Sequence, residues 1–530
     1  MLPANGSNKT LVSRSVRSPP TIILVIGILL AGAAGAAAAG NTEIVSDLAR
    51  RVGPVVGSAL ACRDIARPRI QTIVDKFAAV IREASSSEAE RADLTQLLDR
   101  SVAGGRNAVT SGQTDCKLAD RQFADLERSI AAPSLSAAIG PSSAAAATSN
   151  APVTAGPPQR GITDREIRFG IAAPFSGSAK ELGRQMKLGI DTAFNLVNDA
   201  GGVEGRMLRL VAADDGYEPA RTAEAMKQLY EKDQVFAIVG NVGTPTAAVA
   251  VPYALERRML FFGAFTGASI LRRDPPDRYV FNYRASYAEE TDAVVRYLVK
   301  IRRLQPKQIA VFAQQDSYGD AGFAGVAKAF RSLGANDGAI VRLNYTRNTV
   351  DVEDAVHQLK AQKSMIKAVV MVSTYRAAAR FIEKTRDIYP QMIYTNVSFV
   401  GSTALAEELK LLGARYATGV IVTQVVPAVS GYSSNVLEYK NALARYFPGE
   451  APDYVSLEGF VAANVLIQAV KRAGPQFDTE KLIDVLESTR NLDLGLGTSL
   501  SFGRAEHQAS HKIWGTALDE TGKYQPIELE

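Results

Sequence analysis

From Gly161 onward the chain alternates between short, nearly all-apolar runs and segments whose apolar residues recur every three or four positions. The first pattern marks parallel strands covered on both faces; the second marks helices. Strands are expected over 166–172, 207–213, 235–239, 259–263 and 279–282, with helices over 182–199, 219–232 and 244–256. After Arg284 the alternation starts again. Helices are expected at 289–301, 321–333, 352–362 and 376–389, and strands at 308–313, 340–345, 367–372 and 392–395. Two such sets exceed one doubly wound sheet of ordinary size, so the pattern predicts an α/β protein with two parallel-sheet lobes and a cleft between them.

Upstream the period changes. Within 41–130, Ile65, Ile70, Ile73, Val74, Phe77, Val80 and Ile81 form one helical stripe. Leu94, Leu97 and Leu98 start a second, and Leu118, Phe123 and Leu126 a third, so a small helical domain is expected there. Residues 131–160 are rich in Ala, Ser and Pro and read as a low-complexity linker that cannot bury enough surface to fold.

The first forty residues hold Lys9, Arg14 and Arg17, no Asp or Glu, then Ile22–Leu30 and an Ala/Gly run to Gly40. Basic head, apolar centre and small-residue exit are the parts of a secretory signal peptide. The competing expectation is an uncleaved signal anchor through 21–40; the weak hydrophobicity of the Ala/Gly half favours cleavage. Either way the remainder is expected on the far side of the membrane, in the periplasm. Two cysteines in an exported domain are expected to pair, so Cys62 and Cys116 should form a disulfide.

Composition removes several classes. Net charge is +5, and the first forty residues supply three of these charges, leaving a nearly neutral body without the basic footprint of a nucleic-acid binder. Two cysteines and three histidines exclude Cys-rich zinc modules and iron–sulfur proteins. There is no Gly-x-x-x-x-Gly-Lys-Ser/Thr loop and no Gly-x-Ser-x-Gly elbow. His507 and His511 lack a His-Glu-x-x-His setting, so no metal site is expected. These absences lower the case for an enzyme.

Polar residues at strand ends remain. Gly240-Asn-Val-Gly-Thr244-Pro-Thr246 follows a strand and opens a helix, where free N–H groups and the helix dipole favour an anion such as a ligand carboxylate. Thr244 is equally a plain helix N-cap. Gly263-Ala264-Phe265-Thr266 follows the next strand and offers a further backbone donor and a hydroxyl.

Several segments together resemble a known family. They are Ile167-Arg-Phe-Gly-Ile171 with Phe175-Ser-Gly177, Asn198-Asp-Ala-Gly-Gly-Val203, Asp214-Asp-Gly-Tyr-Glu-Pro219, Gln315-Asp-Ser-Tyr-Gly319, Asn396-Val-Ser-Phe-Val-Gly401, Ser456-Leu-Glu-Gly459 and Leu500-Ser-Phe-Gly503. From about Glu166 to Pro526 the chain resembles the type I periplasmic binding proteins that serve ABC transporters for branched-chain amino acids, the Leu/Ile/Val-binding proteins. The resemblance implies two lobes joined by a hinge, no cofactor and no catalysis. It implies an amino acid or related small polar solute as ligand and an inner-membrane ABC permease as partner. The ligand's charged ends would be held by Gly243-Thr244 and by Ala264 and Thr266. Tyr318 and Tyr375 would be second-lobe aromatics, and Glu289 an acid near the ammonium. Tyr318 could instead pack at its helix start, and Glu289 could serve its helix dipole. A Ser common in the family's loop is Gly243 here. Residues 41–160 lie outside the resemblance and leave open an alternative, a ligand-sensing receptor that signals to a membrane partner.

Overall fold

The computed structural model describes residues 38–131 and 159–529, apart from 86, 112, 113 and 364. The expected leader, except its last three residues, and the expected linker core 132–158 lie outside the described residues. The described residues fall into two compact units.

The first unit is four helices: α1 (Ala38–Ala61), α2 (Arg67–Ala84), α3 (Glu88–Thr110) and α4 (Cys116–Ala131). Its core contains Val45, Val52, Val56, Ile70, Ile73, Phe77, Ile81, Leu94, Phe123 and Leu126. Ser87 caps α3, its hydroxyl accepting from the Glu90 amide at 3.2 Å. Cys62, just after α1, and Cys116, the first residue of α4, are joined by a disulfide, with Cα atoms 5.6 Å apart. Pro54 and its neighbouring glycines read as breakers, yet they lie inside α1.

The second unit contains two sheets. The first lobe holds β1 (Glu166–Ala173), α5 (Lys180–Asp199), β2 (Met207–Asp214), α6 (Pro219–Lys227), β3 (Ala237–Val239), α7 (Thr244–Glu256), β4 (Phe261–Phe262) and β5 (Val280–Phe281). Its strands are parallel in the order β2-β1-β3-β4-β5. Ile167, Phe169 and Ile171 of β1 are fully buried, as a central strand covered on both faces requires.

The second lobe holds α8 (Tyr287–Arg296), β6 (Ile309–Gln314), α9 (Ser317–Ser332), β7 (Val341–Tyr345), α10 (Glu353–Ala361), β8 (Ala368–Val372), α11 (Tyr375–Arg386), β9 (Ile393–Asn396), α12 (Ser402–Leu412), the short α13 (Ala414–Ala417) and β10 (Ile421–Gln424). The chain then returns to the first lobe as α14 (Ser434–Tyr446), α15 (Tyr454–Ala473) and α16 (Thr479–Glu487). It ends in the second lobe as β11 (Trp514–Leu518) and β12 (Tyr524–Ile527). The sheet order is β12-β11-β10-β9-β8-β6-β7. The sheet is not wholly parallel: β11 runs antiparallel to both β10 and β12. A turn in which the Asp519 amide donates to the Lys523 carbonyl at 2.9 Å makes this hairpin.

Helix α15 lies close along α5 because Gly189 has no side chain; a Cβ there would stand 1.8 Å from the Ser456 carbonyl oxygen. The chain crosses between lobes after β5, after β10 and before β11. The crossings run together: the Ala509 amide donates to the Asn282 carbonyl at 2.8 Å, Ser510 to Tyr283 at 3.0 Å, and the Tyr283 hydroxyl to the Val425 carbonyl at 2.9 Å. Three short crossings side by side form a hinge.

Candidate functional site

Strands β3 and β4 pair at Ile238–Phe261 and Val239–Phe262, so the loops leaving them run side by side. The Phe265 amide donates to the Asn241 carbonyl at 2.7 Å, and the Gly243 amide to the Phe265 carbonyl at 3.2 Å. Gly243, at φ 105°, is the N-cap of α7, and Thr244 is its first helical residue. The Thr244 side chain therefore does not cap the helix. Its hydroxyl lies 2.7 Å from that of Thr266, and both residues are fully buried. The Thr266 oxygen also accepts from the Ala268 amide at 3.3 Å. Thr246 is occupied elsewhere: its hydroxyl donates to the Val242 and Gly243 carbonyls. Ala264 is buried in the turn between Gly263 and Phe265.

An aromatic cluster built from both lobes covers this pair. Phe399, in the turn after β9, has its ring centroid 5.1 Å from Phe265, 4.7 Å from Tyr318, 6.1 Å from Tyr217 and 6.5 Å from Tyr287. Tyr318 follows β6, held by Asp316, whose carboxylate accepts from the Tyr318 amide at 3.0 Å. It is fully buried, 5.4 Å from Tyr287, and burial pushes its phenol well above the usual range. Tyr217 leaves β2 with φ 62°, and its hydroxyl accepts from Gln314 of the other lobe at 3.1 Å. Burial raises the Tyr287 phenol to about 12, against the pull of Arg284, so it stays a neutral group at working pH.

Arg284 lies beneath the cluster at the hinge, its guanidinium carbon 5.2 Å from the Phe265 ring centre and 5.7 Å from that of Tyr287. It is fully buried and donates to Glu290 at 2.8 Å and to the Ser398 hydroxyl. Glu458, on α15, approaches its other nitrogen at 3.5 Å. Glu290 also accepts from the Ser398 amide at 2.8 Å and from the Thr423 hydroxyl at 2.5 Å. Pairing and hydrogen bonds meet part of the desolvation cost of this buried charge, while Nη1 has no hydrogen-bond partner among the described residues. Burial pushes the Glu458 carboxyl up to about 7, and the pull of Arg284 does not offset it.

Glu289 stands apart from this set. It closes a capping box with Ser286 and turns to His511, 2.6 Å away, and Gln508, 3.0 Å away. Burial alone would raise its carboxyl, but the bonds from His511, Ser286 and Gln508 outweigh it and hold it at about 2. The acid that faces the hinge is the next residue, Glu290. Tyr375 begins α11 beside Gly401, near Leu182 and Glu181 of the first lobe, so it belongs to the lobe interface but not to the ring cluster.

Polar contacts join the lobes at the cleft rim. Asn348 Nδ2 donates to Glu218 at 2.5 Å and to the Gly216 carbonyl at 3.2 Å, while its Oδ1 accepts from Ser178 at 3.1 Å. Arg347 bridges Glu218 at 2.9 Å and Asp316 at 3.0 Å. Sequence reasoning did not single out Phe399, Tyr217, Glu290, Glu458, Arg347 or Asn348. All but Glu290 and Glu458 sit in loops or turns at strand ends, a signal that was available. Among the described residues no group of three or more His, Cys, Asp or Glu side chains could hold a metal ion.

The family model described as periplasmic binding protein matches residues 166–523. The chain belongs to this family: it is an extracytoplasmic, non-catalytic solute-binding protein of an ABC transporter, whose partners are a small solute and an inner-membrane permease. A solved structure described as a possible leucine/isoleucine/valine-binding protein from Rhodopirellula baltica is 38% identical, with TM-score 0.66, covering 71% of this chain and 99% of that one. A substrate-binding periplasmic protein from Ralstonia solanacearum is 27% identical, with TM-score 0.62, covering 68% and 100%. The Leu/Ile/Val-binding protein homolog 3 of Brucella melitensis is 25% identical over 339 residues, 63% of this chain and 86% of that protein. Among the described residues no helix is long and apolar enough to cross a membrane.

Proposed function

We propose that the protein takes an amino acid or a related small carboxylate or amide into the interlobe cleft and presents the closed form to its permease. The observation that carries this is the buried Thr244–Thr266 hydroxyl pair, set beneath aromatic rings that come from both lobes. Thr266 shares a hydrogen bond with Thr244, in which either hydroxyl can be the donor, and accepts from the Ala268 amide, so the pair offers hydroxyl groups to a ligand oxygen. The helix N-terminus at Thr244 adds favourable potential for a carboxylate. Gly243, Ala264 and Tyr318 line the same cluster, and Tyr375 contributes to lobe contact. The relatives described as Leu/Ile/Val-binding support an amino-acid-like solute.

A second reading, a sensor that reports ligand occupancy to a membrane partner, is favoured by the helical unit 38–131, which lies outside the matched family region. An anchor through residues 21–40 would suit it. A thermal-shift screen against amino acids, amides and small organic acids tests binding. A ligand at a hundred times its Kd should stabilise the protein by about 2.7 kcal/mol. No shift with any of these classes would remove the solute-binding proposal.

A further inference from the structure

We infer that Arg272 is a positioning residue that ties the Thr266 loop to the hinge, so that the ligand seat and the angle between the lobes are set together. This rests on the interlobe site proposed above.

Arg272 ends the loop that leaves β4 and is partly buried. Its guanidinium is a planar fork that addresses oxygens on several sides at once. All three of its nitrogens are used. Nη1 donates to the Ala268 carbonyl at 2.9 Å and to the Thr266 carbonyl at 3.3 Å, and so holds the loop on which the Thr266 hydroxyl meets that of Thr244. Nη2 donates to the Arg284 carbonyl at 3.0 Å, on the crossing after β5. Nε donates to Gln508 Oε1 at 2.6 Å, at the start of the crossing before β11. One side chain therefore joins the seat to two of the three hinge segments.

The contacts continue into the second lobe. Gln508 Nε2 donates to Glu289 at 3.0 Å, in the first turn of α8. A second strap runs beside the first: Asn282 Nδ2 donates to the Leu271 carbonyl at 2.8 Å, and the Ala509 amide donates to the Asn282 carbonyl. Burial and the nearby Arg284 lower the Arg272 pKa to about 10, so the group stays charged at neutral pH and each of its bonds has a charged donor. Its acceptors are carbonyls and an amide oxygen, so it fixes geometry across three segments rather than neutralising an acid. A lysine would keep the charge but could not serve three segments from one nitrogen. A rotation of the lobes turns the crossings, and the fork carries that movement to the Thr266 carbonyl. Coupling of this kind is reciprocal, so a change made at the hinge end must be felt at the seat.

The test is hydrogen–deuterium exchange of the full exported chain without ligand, in wild type, Arg272→Lys and Gln508→Ala. The side-chain hydrogen bonds of Gln508 reach Arg272, Glu289, Ser510 and His511 but no residue of 264–268. Both variants should raise exchange at least about tenfold across 264–268 and leave β1 as protected as in wild type. Gln508→Ala is the milder change and decides the matter if Arg272→Lys does not fold. Unchanged exchange at 264–268 in folded Gln508→Ala, or equal loosening of β1, would overturn the coupling. Calorimetry with L-leucine as probe adds a second readout: affinity should fall at least about fivefold in both variants. Wild-type affinity in both would also overturn the coupling. Absence of L-leucine binding to wild type would count against the solute reading alone, and the exchange result would still decide the role of Arg272.

Discussion

The hydroxyl oxygens of Thr244 and Thr266 lie 2.7 Å apart on two loops that leave adjacent strands of one sheet, and neither residue is exposed. Thr266 accepts from the Ala268 amide and shares a hydrogen bond with Thr244, in which either hydroxyl can be the donor. Thr266→Val keeps the shape and removes the hydroxyl. A lost hydrogen bond to a charged group costs roughly 1.5–3 kcal/mol, so affinity should fall about 10- to 100-fold. Thr244→Val should cost less, because it removes only the partner that orients Thr266. Calorimetry on both variants checks the order; equal, wild-type affinity in two folded variants would exclude the pair from the site.

Asn348 and Arg347 of the second lobe meet Ser178, Gly216 and Glu218 of the first at the rim, away from the hinge. Partly exposed contacts of this kind contribute about 0.2–1 kcal/mol each. Asn348→Ala and Glu218→Gln should each raise the ligand's dissociation rate by up to about fivefold and leave association nearly unchanged. Stopped-flow measurement separates the two rates. A change confined to association would contradict a role in holding the lobes together.

Glu458 gives a pH dependence. Its folded pKa, about 7, lies above the ordinary carboxylate value of 4.5. Between these values the folded protein holds a proton that the unfolded chain has released. The stability from this group is therefore full below about pH 4.5 and is lost as pH rises through about 7. Glu458→Gln should flatten that part of the profile, by an amount on the order of 1–3 kcal/mol. Glu289 works in the opposite direction, its depressed pKa giving stability above 4.5 that is lost as pH falls through about 2. Denaturant titrations of wild type and Glu458→Gln from pH 4.5 to 8 should converge at the acid end and diverge toward pH 8. Parallel curves would contradict this.

The Cys62–Cys116 link joins residues 54 positions apart within the helical unit. Chain entropy puts its contribution at about 4 kcal/mol. Alkylation of the non-reduced protein should label no cysteine, and reduction should lower the stability of the helical unit while ligand affinity stays unchanged, since the two lobes contain no cysteine. Rapid labelling of both thiols would disprove the pairing.

Most strands up to β9 show in the sequence because they are short runs buried on both faces, a pattern few helices imitate; the edge strands β2 and β7 are only partly buried and show by their place in the alternation. What lay beyond was hidden for physical reasons. Sixteen of the 20 residues of α15 are buried, which erases the polar face that marks a helix in sequence. Helix α1 was obscured by Pro54. At the site, Thr244 and Thr266 stood out as hydroxyls after adjacent strands. Glu289 and Glu290 are successive residues about 100° apart around a helix, and nothing local says which one turns to the hinge. Phe399 is a single aromatic in a short turn; its place against Phe265 exists only once the two sheets face each other.

If the lobes close on a solute, the distance between them must shorten when the solute binds. Lys227 on α6 and Lys360 on α10 are exposed, one on each lobe. Spin labels on cysteines substituted at these two positions report that distance by pulsed electron resonance. With a saturating ligand from the screen, the mean distance should be shorter and the distribution narrower than without it. Thr266→Val should require about 10- to 100-fold more ligand for the same change. An identical distribution with and without saturating ligand would contradict closure on a solute.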